Sequence, residues 1–160
     1  MKSEQLTIRV IDYEDIPAIL RIMLDNWDGV MSEYHSPEIV AKFRGEVSGD
    51  WMKRQMGWKR IFVVEKDSNV VATGALADFG KPGNTKLCIS QFFVHPDLHG
   101  RGIGKLLMKH LLDMAAKGGI KQIHVPSSRN AVLFYKSIGF TVDSEQTDIA
   151  DEITWMSMNM

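Results

Sequence analysis

The sequence predicts one domain of the α/β class, in which a mixed β-sheet is flanked by helices. Three observations support this prediction. Segments in which apolar and polar residues alternate, as in strands, are interspersed with segments of helical periodicity. The chain has 160 residues and is 44% apolar, which suits a single core. No linker, repeat or low-complexity stretch interrupts it, so residues 1–160 are expected to form one domain.

The first third of the chain predicts one strand followed by two helices. Apolar residues alternate over residues 6–10, which favours a strand. An acidic turn leads into residues 16–27, where apolar side chains recur at the i, i+3, i+4, i+7 spacing of an amphipathic helix. The Ser-Pro-Glu segment at 36–38 is typical of a helix cap and first turn, so a second helix is expected there, with a break at residues 48–49.

The middle of the chain predicts three strands and a long helix. Residues 61–65 and 70–77 are rich in β-branched side chains and are joined by Asp67-Ser68-Asn69, a hairpin signal. Residues 86–94 form the next predicted strand. The helical pattern over residues 102–117 ends at two glycines, which favour a helix C-terminus.

The last quarter predicts a strand over residues 120–125, a helix over 130–137, and strands over 141–143 and 153–158. The complete order is β-α-α-β-β-β-α-β-α-β-β. Such alternation places helices on a mixed sheet rather than in a separate bundle.

The composition excludes several classes of function. The 19 basic and 20 acidic residues leave a net charge of −1, so broad binding to nucleic acid is not expected. The single cysteine, Cys88, allows no internal disulfide, which fits a reducing compartment. It lies between apolar residues and is expected to be a small core residue. No signal peptide or membrane span is predicted, so a cytoplasmic location is expected. The five histidines show no metal-ligand spacing, so no metal site is predicted.

A glycine-rich loop stands between the predicted strand at 86–94 and the predicted helix at 102–117. Gly100, Gly102 and Gly104 alternate there with Arg101, Ile103 and Lys105. Glycines let the main chain approach a ligand closely, and the free N–H groups of a helix N-terminus attract anions. The loop therefore predicts a phosphate or pyrophosphate ligand that is held mainly by main-chain groups.

Two common phosphate motifs do not fit this loop. Aligned on Gly104-Lys105, a P-loop would have His99 at its first glycine and Leu106 at its hydroxyl position. A dinucleotide fingerprint started at Gly100 or at Gly102 lacks its third glycine, and no acidic residue follows at about 20 positions.

A third pattern, Gln/Arg-x-x-Gly-x-Gly/Ala, fits with Gly102 and Gly104, although His99 stands at its Gln/Arg position. Residues 128–140 add the block Asn/Ser-x-x-Ala-x-x-Phe/Leu-Tyr-x-x-x-Gly-Phe in the same order and at a similar spacing. Together these motifs resemble the GNAT (GCN5-related) N-acetyltransferase superfamily. Over nearly the whole chain, the resemblance implies an acetyl-CoA-dependent N-acetyltransferase in which a primary amine attacks the thioester directly in a ternary complex.

The resemblance also implies where the cofactor lies. In that family CoA occupies a gap between the fourth and fifth strands, here residues 87–94 and 120–125, with its pantetheine arm along the fourth. The implied cofactor-binding residues are Phe92, Phe93, Val94, His99, Gly100, Arg101, Gly102, Ile103, Gly104, Lys105, Ser128 and Phe134.

Two side chains are implied to act in catalysis. Tyr135 stands where the family places a general acid, and a phenol with a pKa of about 10 suits protonation of a thiolate. His124 is the candidate general base, since an imidazole has a pKa near 6.5, with His35 and His95 as weaker candidates. A water relay without a single base remains an alternative.

The acceptor is expected to be a small-molecule amine or a peptide amine, framed by residues 27–36 and 143–151. Acidic and aromatic residues in these segments would suit a cationic amine, but they also fit an ordinary solvated surface. A homodimer is possible. Two other functions remain open: a CoA-binding sensor or scaffold of the same fold, and a nucleotide-binding α/β protein.

Overall fold

A computed structural model describes residues 5–143 and 148–160. Seven strands form one mixed sheet in the order β1-β2-β3-β4-β5-β7-β6, which confirms the predicted α/β class. The strands are β1 (Leu6–Val10), β2 (Arg60–Lys66), β3 (Asn69–Asp78), β4 (Leu87–Val94), β5 (Gln122–Ser127), β6 (Thr141–Val142) and β7 (Thr154–Asn159). The helices are α1 (Ile16–Gly29), α2 (Pro37–Glu46), α3 (Gly49–Met56), α4 (Ile103–Lys117) and α5 (Val132–Ile138).

The structure differs from the sequence prediction mainly at two places. A third helix, α3, follows the predicted break, because the Ser48 hydroxyl accepts the Trp51 N–H at 3.1 Å and caps a new helix. Strand β5 begins two residues later than predicted. The Ile120 N–H donates to the carbonyl of Ala115 at 3.1 Å, and Gly119 has a φ of +79°, so this segment still belongs to the C-terminal turn of α4.

Strands β4 and β5 are barely joined. Strands β1 to β4 pair antiparallel, and β5 pairs antiparallel with β7. Between β4 and β5 the parallel register consists of one pair, Cys88 with His124. Beyond this pair the two strands diverge toward their carboxyl ends, which opens the gap that the family resemblance implied.

A β-bulge bends β4 beside this gap. The register with β3 passes from Thr73–Phe93 to Ala75–Ser90, so β4 holds one extra residue, and Gln91 has a φ of +50°. Gly74 lies opposite, where a Cβ atom would come within 2.9 Å of the Phe92 ring. The bulge thus requires a glycine on the neighbouring strand and determines which face of the sheet each side chain of β4 takes.

The core is divided by the sheet. One cluster packs α4 and α5 against one face, and its fully buried members include Leu107, Leu111, Ile123, Phe140 and Met156. A second cluster packs α1 and α3 against the other face, around Ile19, Met23, Met52, Ile61 and Val63. Burying each large apolar side chain contributes about 1.5–3 kcal/mol. No helix among the described residues is both long and apolar enough to cross a membrane.

Candidate active site

A cavity of about 800 Å³ fills the gap between β4 and β5. One wall is β4 from Ile89 to Val94, continued by the glycine loop, and the opposite wall is the end of β5 with α5. The α1–α2 segment and residues 151–153 close the side that faces α1. A cavity of this size, lined mainly by apolar groups with a few polar ones, is typical of a small-molecule site.

The glycine loop presents unpaired main-chain donors to this cavity. Gly100 and Gly102 have φ values of +77° and +85°, which L-residues rarely adopt. The Leu106 N–H makes the first helical hydrogen bond of α4, to the Gly102 carbonyl at 3.1 Å. The preceding amides of residues 103–105 thus have no acceptor within the helix, and they lie at its positive end, where an anion binds.

The glycine loop also packs against the second motif. A Cβ atom at Gly104 would lie 3.3 Å from the Phe134 ring, so a larger residue would push the two motifs apart. Phe134 in turn stacks on Phe92 of β4 at 5.7 Å between ring centroids. The two motifs that were recognised separately in the sequence therefore form one continuous wall.

Most of the predicted site residues are brought together here. Those that line the cavity are Phe92, Phe93, Val94, His99, Gly100, Gly102, Gly104, Lys105, Ser128, Phe134 and Tyr135. Arg101 is exposed and does not line the cavity. The Ile103 side chain is buried beneath α4, so only its main-chain amide is available to a ligand.

The His99 side chain fixes the glycine loop to the end of β4 and does not offer its N–H to a phosphate. Its Nε2 lies 2.8 Å from the carbonyl of Val94, so Nε2 carries the proton and donates. In the neutral imidazole the remaining Nδ1 is then an acceptor, which does not suit a phosphate oxygen. The Asn26 amide donates to the same carbonyl at 2.9 Å, so the carboxyl end of β4 is fixed from two sides.

Tyr135 is the most enclosed of the predicted catalytic residues. It is 5% exposed, and it lines the cavity among the rings of Phe92, Phe134 and Phe140, whose centroids lie 5.4 to 6.3 Å from its own. Burial raises the pKa of the Tyr135 phenol above its usual range. The hydroxyl therefore keeps its proton near neutral pH, and it is available as a proton donor.

Comparison with known proteins identifies the family. The family model of the GNAT acetyltransferase domain matches residues 31–160. This chain belongs to the GNAT acetyltransferase family. The predicted family, fold and acyltransferase class are confirmed, and acetyl-CoA is the co-substrate of this family, as the resemblance implied.

Individual GNAT relatives are distant. The uncharacterized N-acetyltransferase ycf52 of Pyropia yezoensis is 26% identical over 59% of this chain and 60% of its own length. The peptidyl-lysine N-acetyltransferase YjaB of Salmonella typhimurium is 42% identical over 31% of this chain and 33% of its own length. The match thus spans less than two thirds of the length of each of these curated relatives.

A solved GNAT structure covers nearly the whole chain. PaiA N-acetyltransferase of Thermoplasma acidophilum, in complex with coenzyme A, is 20% identical with a TM-score of 0.81, over 98% of this chain and 99% of that chain. At this identity the likeness concerns the fold, and the fold agrees from end to end.

His124 is not part of the GNAT cavity. It lies on β5 between the buried residues Ile123 and Val125, opposite Ser157 of β7, and it does not line the cavity. Burial, and then the charge of Lys86, lower the pKa of His124. The structure does not bring the predicted general base to the other predicted site residues.

His35 does line the cavity, in a network that links three distant segments. Its Nδ1 donates to Glu152 Oε1 at 3.1 Å, and its Nε2 accepts the Arg129 N–H at 3.3 Å. Arg129 Nη1 lies 3.3 Å from the same carboxylate oxygen, and the Ser36 N–H donates to it at 3.0 Å. Because the residues are up to 117 positions apart, no sequence pattern indicates this bridge.

Two of the acidic residues expected to attract a cationic acceptor, Asp151 and Asp28, are engaged in ion pairs. Residues 144–147 of the predicted acceptor segment, among them Glu145, lie outside the described residues. Asp151 accepts from Lys42 at 2.5 Å, and Asp28 accepts from Arg44 at 2.8 Å. Between them the wall is apolar and aromatic, with Trp27 stacked on Phe43 at 5.4 Å. The acceptor side is therefore less acidic in effect than its sequence indicates.

Two buried amide oxygens beside the cavity have no protein partner. Gln91 Oε1 and Asn130 Oδ1 are inaccessible to solvent and accept no hydrogen bond, and both residues line the cavity. The Gln91 amide nitrogen donates to Met52 Sδ at 3.8 Å, in the cluster packed by α1 and α3. Neither oxygen is exposed to the cavity, so a ligand would reach them only after these side chains moved.

Proposed function

We propose that this chain is an acetyl-CoA-dependent N-acetyltransferase, which transfers the acetyl group to a primary amine by direct attack in a ternary complex. One observation carries the proposal. The free amides at the N-terminus of α4 open onto the same cavity as the edge of β4 and the hydroxyl-bearing ring of Tyr135. An anion site, an extended channel and a proton donor are thus joined in one space.

The residues of the cavity suit the pyrophosphate and the pantetheine arm of acetyl-CoA. The amides of residues 103–105 and the side chain of Lys105 would hold the pyrophosphate. The edge of β4 that faces the gap, at Phe92, Phe93 and Val94, would hold the pantetheine arm. When bound, acetyl-CoA supplies the activated thioester.

Tyr135 would return the proton to the leaving sulfur. Its raised pKa keeps the phenol protonated, and it lines the cavity in which the thiolate would form. The main-chain N–H groups beside the bulge of β4 would polarise the thioester carbonyl, since preorganised donors stabilise developing negative charge.

The acceptor would enter on the side of the cavity that faces α1, between α1–α2 and residues 148–153. Trp27, Met31 and Phe43 line this side, and Glu152 is held by three neighbours. We propose a small-molecule amine or a peptide amine as the acceptor. Peptidyl lysine, the printed substrate of the relative YjaB, belongs among the candidates.

Two measurements test this proposal. Calorimetric titration with acetyl-CoA, ATP and NAD should show binding of acetyl-CoA alone, and failure to bind it at millimolar concentration would contradict the proposal. A panel of aliphatic, aromatic and polyamine compounds, amino-acid amides and lysine peptides should then reveal an acceptor through release of free CoA thiol. Binding without turnover across the panel would indicate a CoA-binding sensor instead.

A further inference from the structure

A lysine that the mechanism does not yet use lies against the cavity wall. Lys59 stands between α3 and β2, and its Nζ donates to the Ser90 hydroxyl at 3.0 Å. Ser90 lies on β4, immediately before the bulge, is 8% exposed and lines the cavity. The ammonium of Lys59 is thus one hydrogen bond away from the space that the reactants would share.

The surroundings of Lys59 disfavour its charged form. Its Nζ lies over the rings of Trp58 and Phe79, at 4.7 and 5.5 Å from their centroids. Across residues 5–143 and 148–160, no carboxylate lies within ion-pair distance of it. Burial lowers the pKa of Lys59 to about 8, although the two aromatic faces oppose this by attracting the cation.

Cys88 of β4 is the titratable group that faces Lys59. Burial raises the pKa of the Cys88 thiol to about 12, so the thiol is neutral and adds no charge near pH 8. A lysine with this pKa and without a carboxylate partner is neutral in a much larger fraction of molecules at neutral pH than an ordinary lysine. Such a lysine can accept a proton and release it again.

Ser90 lies at the end of the cavity where the reacting groups would meet. The glycine loop, which would anchor the phosphates, follows Val94 at the carboxyl end of β4. Ser90 lies four residues back along the strand, about 13 Å away at 3.3 Å per residue. A ligand anchored at the loop and extended along β4 would therefore place its distal, reactive end beside Ser90.

We propose that Ser90 and Lys59 form a proton relay that deprotonates the acceptor amine. The inference rests on the proposed acetyl transfer. Ser90 contacts the amine, and Lys59 acts through Ser90. The other candidate bases are worse placed, since His124 lies outside the cavity and both nitrogens of His35 are engaged.

The relay balances in protons and bonds. The acceptor ammonium gives a proton to Ser90 Oγ while Ser90 gives its own proton to neutral Lys59, which becomes an ammonium. The free amine then forms the C–N bond, and the C–S bond breaks. Tyr135 protonates the departing thiolate, and the second proton of the amine nitrogen, lost as the amide forms, restores the Tyr135 hydroxyl. Lys59 then releases its proton to solvent. The net reaction yields the amide, CoA thiol and one proton.

The test compares Lys59→Met, Ser90→Ala and the double variant with Lys53→Met, which removes an exposed lysine of α3 as a matched control. In wild type, kcat/KM should rise with pH around a midpoint of about 8, and two acceptors of different amine pKa should share this midpoint. Either single variant should lose this rise and lower kcat by about 10²-fold, with unchanged acetyl-CoA affinity. The kcat of the double variant should be no lower than that of either single variant, because both residues belong to one proton path.

Several outcomes would overturn the relay. If the wild type turns over and Lys59→Met keeps its rate and pH profile, the relay is wrong and acetyl transfer stands. The pKa of Lys59 can also be measured by competitive labelling, which requires no acceptor. An ordinary lysine pKa there would overturn the relay. Acetylation of Lys59 itself, detected by mass spectrometry, would make this residue a nucleophile rather than a relay. Absence of turnover with every amine would contradict the proposed acetyl transfer itself, and the relay that rests on it.

Discussion

The two sides of the cavity are built by different means. The side that would hold the cofactor's phosphates consists of main-chain amides within seven consecutive residues, 99–105. The side where an acceptor would enter consists of side chains from separate parts of the chain, such as Trp27, His35 and Glu152. A main-chain site depends on backbone conformation, whereas a side-chain site depends on single functional groups. Substitutions on the two sides should therefore change different kinetic constants.

The largest effect is expected at Tyr135, where a single hydroxyl carries the function. Tyr135→Phe should lower kcat by about 10²-fold or more, because it removes the proton donor to the leaving thiolate and keeps the ring packing. Acetyl-CoA affinity, measured by calorimetry, should change far less. Near wild-type turnover across the pH range would leave Tyr135 as a packing residue.

The next effect tests the main-chain side. Gly102→Val should raise the acetyl-CoA Kd by roughly tenfold, equivalent to about 1.4 kcal/mol, because the side chain occupies the approach to the amides. The φ of +85° at this position also strains any L-residue, so the melting temperature should fall. Gly29→Ala is the control, since no atom lies within 4 Å of its Cβ position. Unchanged cofactor affinity would refute the loop assignment.

A smaller effect is expected where the acceptor side is held together. Glu152→Gln removes the charge that joins Arg129, His35 and Ser36, so the acceptor KM should rise several-fold while the acetyl-CoA Kd stays constant. Equal changes in both constants would show that the two sides do not act separately.

The same variant, Glu152→Gln, also tests how the stability of the fold depends on pH. Hydrogen bonds from Ser36, then the bond from His35 and the charge of Arg129, lower the pKa of Glu152 against the effect of burial. A carboxyl group whose pKa is lower in the folded state than in the unfolded state stabilises the fold. This stabilisation is fully present above the unfolded-state pKa of about 4.3, and it is lost as the pH falls through the folded-state pKa. The melting-temperature difference between wild type and Glu152→Gln should therefore be present at pH 7 and shrink below about pH 4.

The smallest effect is expected at Arg101. Its side chain is exposed and does not line the cavity, so Arg101→Ala should weaken acetyl-CoA binding by less than about fivefold, and less still at high salt. A larger loss in a titration at two salt concentrations would mean that side-chain charge, and not the main chain, dominates this side.

The same contrast explains what could be predicted from the sequence. The glycine loop was predictable because the residues that need positive φ are adjacent and chemically distinctive. Helix α3 was missed because Met52 is its single fully buried residue among those described, which leaves little periodicity. The bulge at Gln91 has no glycine or proline in its own strand, since the space for it is made by Gly74 on β3.

The candidate general base shows the limit most clearly. His124 was chosen for its residue type at a strand end, and type does not determine which face of the sheet it takes. The Lys59–Ser90 pair joins residues 31 positions apart, and a single lysine beside a tryptophan carries no signal in sequence. The hydrogen-bonding role of the His99 imidazole also depends on the nearby carbonyl of Val94, and the sequence does not show that these two groups meet.

The single backbone pair between β4 and β5 has a consequence for how the protein opens. Strands β1–β4 and β5–β7 share that pair at one end of the gap and the bridge of His35, Glu152 and Arg129 at the other. The hydrophobic core under α4 joins the two half-sheets on one face, so the loosest point of the sheet is the gap itself. In the free protein the backbone amides along the gap should therefore exchange faster than those within β1–β4 or β5–β7, and a ligand bound along the gap should slow their exchange.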